Sequence, residues 1–166
     1  MHTNTNNLYT IAFYTLENLF DTIDDPDTLD DDFTPNGRKK WNEKRYHRKR
    51  KKLSSVISQI GKDDTQRAPS IVGIAEVENL EVVEDLIRSK KLVEQHYGIV
   101  HYDSSDERGI DVALLYRKED FQLLKSETFS VLLFNEEGER DYTRDILLVI
   151  GELKGELVYC FVNHWP

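Results

Sequence analysis

The order of the apolar segments predicts a mixed α/β domain in which helices cover a sheet. A strand pattern at 8–15 is followed by a helical pattern at about 42–60. A second strand pattern at 70–75 is followed by a helical pattern at 80–89. The later patterns are mostly typical of strands and lie at 97–102, 111–116, within 121–134, and in a hairpin of 145–152 and 156–163 with Lys154-Gly155 near its turn. This order is typical of layered α/β proteins.

The composition fits one globular domain without a membrane span. The chain has 166 residues, of which 39% are hydrophobic and 32% charged, so a core is possible. No apolar run approaches the ~20 residues of a spanning helix. Residues 1–7 are polar and lack a signal-peptide pattern, which predicts a cytoplasmic protein, or a secreted one if a leader was removed. Cys160 lies in an apolar run and is expected to be a buried structural thiol.

The charge is unevenly spread along the chain. A net charge of −9 argues against DNA binding by the whole surface. Residues 38–52 nevertheless hold ten Lys or Arg and one Glu, a local charge of +9 that leaves −18 for the remainder. The aromatic rings of Trp41, Tyr46 and His47 are interleaved there as candidate stacking groups for nucleic acid. The alternative is the charged outer face of an ordinary helix, and the sequence favours neither.

Two polar residues follow predicted strands in the first half of the chain. Glu76 comes directly after the apolar run 70–75, at the kind of sheet edge where α/β proteins bind ligands. A carboxylate at that place suits Mg²⁺, which takes oxygen ligands. Asn18 follows the first strand and has an amide that can contact phosphate or orient a carboxylate. Taken singly, a solvated Glu and a turn Asn are the commoner outcomes.

His164 is the candidate for proton transfer, because histidine titrates near neutral pH. It stands at the end of an apolar strand, beside Asn163. Asp111 begins a strand at the same kind of rim, and a carboxylate at one ring nitrogen would fix the tautomer of an imidazole. We therefore predict that Asp111 pairs with His164. A structural histidine near an apolar strand is the alternative.

Two arginines are candidate phosphate contacts. Arg144 stands just before the strand at 145–152, and Arg108 stands shortly before Asp111. The guanidinium fork matches the oxygens of a phosphate bidentately. Considered singly, each is better explained as a surface arginine.

These residues fall in segments that resemble the motifs of a known family. The matched segments, in the family's order, are FYTLENLFD (13–21), IVGIAEVEN (71–79), DERGIDVALLYR (106–117), TRDIL (143–147) and VNHWP (162–166). Together they resemble the endonuclease/exonuclease/phosphatase, or DNase I-like, family in its bacterial form. One departure is Ala75, which stands where a Gln commonly precedes the Glu.

The resemblance implies a four-layer α/β sandwich of two packed sheets flanked by helices. It also implies hydrolysis of phosphodiester or phosphomonoester bonds with a divalent metal, Mg²⁺ or Mn²⁺. Glu76 would be the metal ligand with Asn18 in support, and His164, backed by Asp111, would donate a proton or stabilise charge. The matched phosphate or substrate contacts would be Arg144, Arg108 and Asn163.

The family pattern also contains segments that this sequence lacks. Members carry a Gly-Asp-Phe-Asn segment and a later Ser-Asp-His segment, and neither follows Pro166. We therefore expect 1–166 to be one domain that is incomplete at its C-terminus, with little or no hydrolytic activity of its own. Nucleic acid is the best single prediction for the substrate. The alternative function is non-catalytic nucleic-acid binding through 38–52.

Overall fold

The first β-sheet is built around two central strands that are buried on both faces. The structure is a computed structural model and describes residues 8–165. Strands β2 (Ile71–Val77) and β4 (Asp111–Arg117) pair antiparallel, and their almost continuous apolar sequence fits burial on both sides. They are flanked by β1 (Ile11–Leu19), parallel to β2, and by β3 (Tyr97–His101), antiparallel to β4. All four predicted strands of this sheet are confirmed, although the bounds of the first one differ from the prediction.

The second sheet comes from the last third of the chain and is antiparallel throughout. It contains β5 (Phe121–Phe129), β8 (Ile146–Leu153) and β9 (Glu156–Val162), in that order. The predicted hairpin is confirmed, because Lys154 and Gly155 both have positive φ, at 51° and 93°, as a tight β-hairpin turn requires. A separate two-stranded ribbon consists of β6 (Leu133–Phe134) and β7 (Arg140–Asp141).

Helices pack on one side of the first sheet. The long helix α1 (Glu43–Ile57) starts at Asn42, whose side chain accepts from the Arg45 amide, and α3 (Leu80–Ile87) starts at the predicted cap, Asn79. The remaining helical turns are α2 (Lys62–Thr65) and the 3₁₀ turns Asp31–Phe33 and Val93–Gln95. No helix in the part of the chain that the structure describes is long and apolar enough to cross a membrane.

Two hydrophobic layers separate the helices, the first sheet and the second sheet. Residues of β2 alternate between them, so that Val72 and Ile74 face the helices while Ile71 and Ala75 face the second sheet. The outer face of the second sheet is different. Its apolar side chains are more than half exposed along β9, at Leu157, Tyr159 and Phe161.

Three predictions about local structure were wrong in part. The first strand does not end at 15 but continues to Leu19, and Cys160 is only half-buried. Two of the three proposed stacking groups are not available for bases, because Trp41 and Tyr46 belong to the core, whereas His47 is exposed. The Trp41 indole donates to the carbonyl of Phe20 at 3.0 Å, and the Tyr46 hydroxyl to the Asp85 carboxylate at 3.0 Å. Buried aromatic rings need such partners for their polar atoms.

Candidate functional site

Two β-bulges lie side by side at one end of the first sheet. The regular pairing of β1 with β2 is interrupted after Thr15 and Ala75. Three residues in the interruption have a left-handed backbone, with φ at 55° for Glu17, 62° for Asn18 and 63° for Glu76. This conformation costs a non-glycine residue roughly 1–2 kcal/mol, and bulges and strain of this kind recur at functional sites. Two predicted site residues thus stand at one edge of the sheet.

Glu76 and His164 meet at this edge although they belong to different sheets. His164 follows β9, and its Nε2 atom lies 3.4 Å from Oε1 of Glu76. The exposed fractions of the two side chains are 15% for Glu76 and 25% for His164, so both are largely shielded but still reachable from solvent. No other ion pair of the Glu76 carboxylate occurs within residues 8–165, which leaves its oxygens available to a ligand. We call the edge formed by Asn18, Glu76 and His164 the site rim.

Arg144 lies on the other side of the His164 imidazole. Its Nη1 atom is 3.4 Å from Nδ1 of the ring, and its Nε atom is 3.1 Å from the Thr143 hydroxyl and 3.5 Å from Oδ2 of Asp106. Because a guanidinium only donates, Nδ1 must accept, and the proton of a neutral ring lies on Nε2, facing Glu76. The neighbours of His164 therefore select one tautomer.

A single loop connects both arginines to the site rim. Nη2 of Arg108 donates to Oδ1 of Asn18 at 3.1 Å, and Asp106 in the same loop accepts from the backbone N–H of Arg108 at 3.0 Å. The turn needs a glycine, because Gly109 has φ +65° and a Cβ there would lie 2.8 Å from a methyl group of Thr28. This loop thus brings Asn18, Glu76, His164 and the arginines into one network.

The predicted pairing of Asp111 with His164 is not formed. Oδ1 of Asp111 accepts from the Ser104 amide at 3.1 Å and from the Ser104 hydroxyl, and Oδ2 lies 3.5 Å from Nε2 of His101. The physical reason is strand order. Asp111 begins β4, which lies next to β3, and His101, the last residue of β3, pairs with Ala113 of β4. Ser104, in the loop after β3, donates to the other carboxylate oxygen of Asp111.

His101 was missed by the sequence analysis, and it creates a second cluster of possible metal ligands. Ligand atoms of His101, Asp103 and Asp111 all lie within 4.8 Å of one another. The two carboxylates, however, face different ring nitrogens, with Asp103 3.9 Å from Nδ1 and Asp111 3.5 Å from Nε2. Because one ring cannot direct both nitrogens at the same ion, the two carboxylates and the ring do not converge on one metal position. The site rim is therefore the better candidate for a metal.

Two more charged groups shape the electrostatics near the site rim. The Lys49 ammonium group donates to the backbone carbonyl of Asn18 at 3.0 Å and to that of Glu17. Burial lowers its pKa, while the negative charges of Glu17 and Glu76 oppose that shift. Burial also raises the pKa of Glu78 to about 8, although the backbone N–H of Asp21 donates to it at 2.6 Å. Glu78 is thus held by the fold and is not a free ligand.

The donor set at the site rim fits a hard divalent cation. The neighbouring bulges supply a carboxylate from Glu76 and an amide oxygen from Asn18, which keeps a second lone pair besides the one that accepts from Arg108. Mg²⁺ is typically held by one or two carboxylates together with waters and substrate phosphate, so a site with one carboxylate is within its range. Softer metals prefer sulfur or several imidazoles, which are not found here among the described residues. Asn163 is half-buried beside His164 and makes no side-chain hydrogen bond within 8–165.

The chain is an α/β protein in which two sheets pack face to face and the site rim lies at one end of the first sheet. Residues 10–166 match the sequence model of the Endonuclease/Exonuclease/phosphatase family, and the chain belongs to this family. Members of the family are hydrolases of phosphodiester or phosphate-ester bonds. The predicted family and the mixed α/β fold class are therefore confirmed.

Solved structures of similar fold have low sequence identity to the chain. An endonuclease/exonuclease/phosphatase from Bacteroides vulgatus is 18% identical, with 90% of this chain and 49% of that one covered at a TM-score of 0.49. An endonuclease/exonuclease/phosphatase family protein from Bacteroides thetaiotaomicron is 15% identical, with 92% of this chain and 47% of that one covered at a TM-score of 0.48. D. rerio TDP2 complexed with single strand DNA product is 16% identical, with 91% of this chain and 43% of that one covered at a TM-score of 0.46. The chain spans less than half the length of each, and no curated protein matches it.

Proposed function

We propose that this chain carries part of the active site of a divalent-metal-dependent phosphodiester hydrolase. The main support is the meeting of Glu76 with His164 at 3.4 Å across two sheets, next to a strained bulge. A carboxylate with unused oxygens, held in a costly backbone conformation, is explained by a ligand more readily than by stability. Family membership supplies the general reaction class, which is hydrolysis of a phosphate ester.

In this proposal Glu76 and Asn18 hold Mg²⁺ or Mn²⁺. When bound, the metal polarises the phosphoryl group and offsets the charge that develops on its oxygens. The Nε2–H of His164, fixed by Arg144, donates to a phosphate oxygen or to the leaving group. Arg108, which already reaches Asn18, contributes a second fork for the phosphate.

Asp111 has a positioning role in this proposal instead of the predicted pairing. Its carboxylate holds Ser104, and the Ser104 hydroxyl accepts from the backbone N–H of Asp106 at 3.3 Å. Asp106 in turn faces Arg144. Asp111 thus acts on His164 only through the loop and Arg144. Asn163 remains a proposed substrate contact, because it directly precedes His164 at the rim.

Metal binding is the first test of the proposal. Titration of Mn²⁺ into the chain should broaden the NMR signals of residues around Glu76 and Asn18. Glu76→Gln should remove that broadening, whereas Glu156→Gln, an exposed carboxylate at the start of β9, should not. Broadening that survives Glu76→Gln and centres on His101 and Asp103 would contradict the proposal.

Turnover is the second test. No group of three carboxylate, histidine or cysteine ligands surrounds Glu76 within residues 8–165. We therefore expect weak metal binding and little or no hydrolysis of bis(p-nitrophenyl) phosphate by residues 1–166 alone. Substantial Mg²⁺-dependent turnover that Glu76→Ala abolishes would refute the expected inactivity while supporting the metal site.

Nucleic acid is the proposed substrate, because the chain concentrates ten Lys or Arg in 38–52 despite its net charge of −9. The competing function, binding of nucleic acid without catalysis, uses the same residues. It differs in its dependence on the site rim: salt-sensitive binding that is unchanged by both Mg²⁺ and Glu76→Ala would favour it.

A further inference from the structure

A basic depression lies between α1 and the site rim. One face of the helix forms its floor, and the end of β1 borders it. The residues that line it are Glu17, Trp41, Arg45, Arg48, Lys49 and Lys52. Four cations and one carboxylate make it strongly positive, in contrast to the chain as a whole.

The four cations form a continuous stripe along the helix. Their spacing of three or four residues places Arg45, Arg48, Lys49 and Lys52 on one face. At about 1.5 Å of rise per residue the stripe is roughly 10 Å long. It is therefore too long for one phosphate group and fits a ligand that carries charges in series.

The positive charge of this stripe is not neutralised by acidic partners. Arg48 and Lys52 form no ion pair or side-chain hydrogen bond within residues 8–165, and Lys49 donates only to backbone carbonyls. Elsewhere on the helix the situation is different, because Arg50 is paired with Asp85 and half-buried. Arg45 and Lys49 donate to backbone carbonyls, which leaves their charge without an anionic partner among residues 8–165. Arg48 and Lys52 have neither kind of partner there and are the two cations most accessible to an external anion.

Lys49 connects the depression to the site rim. Its ammonium group lies 3.0 Å from the Asn18 carbonyl, and it also stands over the ring of Trp41 at 5.6 Å from the centroid. A ligand phosphate bound near Glu76 and Asn18 would therefore have its next charged group beside Lys49.

The depression offers charge but no exposed ring. Trp41 is only 9% exposed and covered by Lys49, so no base can stack on it. This also argues against a membrane surface, because amphipathic membrane helices need apolar anchors beside their cations and the lining has no exposed one. A ligand is thus recognised through its phosphates.

We propose that this face of α1 is a phosphate subsite that holds the backbone of a polynucleotide strand next to the reacting phosphate. The inference rests on the proposed function for the position of the reacting phosphate. Recognition is independent of base sequence, because only phosphates are contacted, and it is sensitive to salt, because bound phosphates release counterions. The strand runs from the site rim along Arg45, Arg48, Lys49 and Lys52.

The test compares two double charge reversals on the same helix. Arg48→Glu with Lys52→Glu alters the depression, whereas Lys44→Glu with Lys51→Glu makes the same change of charge at exposed residues outside it. Binding of a labelled oligothymidylate is followed by fluorescence anisotropy in the absence of divalent metal. Circular dichroism checks folding, and Arg48→Gln with Lys52→Gln replaces the first variant if it does not fold.

The depression variant should lose at least about tenfold in affinity at low salt, and the control less than about threefold. The slope of log K against log salt should become shallower by about 0.7 for each phosphate that the variant no longer neutralises. Equal losses in both variants, no binding by the original chain, or tighter binding to phosphatidylserine vesicles with the same dependence on Arg48 and Lys52 would each overturn the subsite. Mn²⁺ binding at Glu76, measured separately on the same variants, reports on the proposed function alone.

Discussion

The two ends of the first sheet carry buried or half-buried carboxylates with opposite surroundings. At the site rim Glu76 has a left-handed backbone and, among residues 8–165, a single ion pair, which is with His164. At the other end Asp120 is only 3% exposed and fully engaged. We call this second end the closed rim; the partners of the Asp120 carboxylate are Ser70 at 2.8 Å, Arg67 and Lys154 at 3.2 Å, and Arg117 at 3.5 Å.

The different surroundings indicate different roles: the Asp120 carboxylate stabilises the fold, whereas the Glu76 carboxylate is only positioned by it. A buried charge is tolerated only when it is paired and hydrogen-bonded, and Asp120 meets that condition with residues of the protein. Glu76 meets it only in part within residues 8–165, because its one ion pair is the 3.4 Å contact with His164, and its backbone conformation adds a cost. The missing partner of Glu76 is therefore expected to be a ligand.

The largest effect should come from breaking the closed rim. Asp120→Ala removes the buried carboxylate that pairs with Arg67, Arg117 and Lys154, so we expect a loss of about 3–5 kcal/mol in the free energy of unfolding. Urea denaturation followed by circular dichroism measures it. Glu156→Ala, at an exposed residue, is the control and should change stability by less than about 0.5 kcal/mol. A similar small change for Asp120→Ala would remove the contrast between the rims.

The loop that joins the arginines to the site rim should be the next most sensitive element. Gly109→Ala combines a positive φ with a close approach to Thr28, for which we expect a loss of about 1–3 kcal/mol. Gly138→Ala is a matched control, because φ is +82° there and nothing lies within 4 Å. If both variants lose the same stability in thermal unfolding, the contact with Thr28 has no role in holding the loop.

Glu76→Gly should increase the stability of the fold, in contrast to the two losses above. Glycine tolerates the left-handed backbone, so we expect a gain of about 1 kcal/mol in stability together with disappearance of the Mn²⁺ response. Glu76→Gln keeps the backbone strain and removes only the charge, which separates the two effects. A marked loss of stability in Glu76→Gly would mean that Glu76, like Asp120, is structural.

The smallest effect should be local and spectroscopic. Asp111→Asn removes the charge beside His101, so the ring NMR signals of His101 should shift. Those of His164 should stay nearly unchanged, since its ring contacts Glu76 and Arg144 instead. The reverse pattern would restore the pairing of Asp111 with His164 that the sequence suggested.

Local patterns in the sequence were sufficient for most of the fold. The apolar run that became β2, the helical spacing and caps of α1 and α3, and the Lys154-Gly155 turn depend on neighbouring residues, whose periodicity is visible in the chain. Family motifs added the positions of Glu76 and His164. The side-by-side bulges were not foreseen, because Glu gives no local signal for a left-handed backbone.

Contacts between distant segments were harder to predict. Asp120 meets partners at Arg67 and Lys154 that no local pattern connects with it. Trp41 and Tyr46 lie among cations, which suggests surface rings, yet both pack into the core. The histidine beside Asp111 is His101 and not His164, since strand order decides which imidazole is near and the sequence does not reveal that order directly.

The position of Lys154 has a mechanical consequence. This turn of the second sheet is tied to Asp120, which is itself bonded to Ser70 and Arg117 of the first sheet, so the two sheets are pinned together at one end. If the sheets rotate relative to each other, atoms near this fixed end move least, and the displacement of other atoms increases with their distance from it. Glu76 and His164 lie at the opposite end, where such a movement would change their separation most. A phosphate bound between them would therefore oppose the movement.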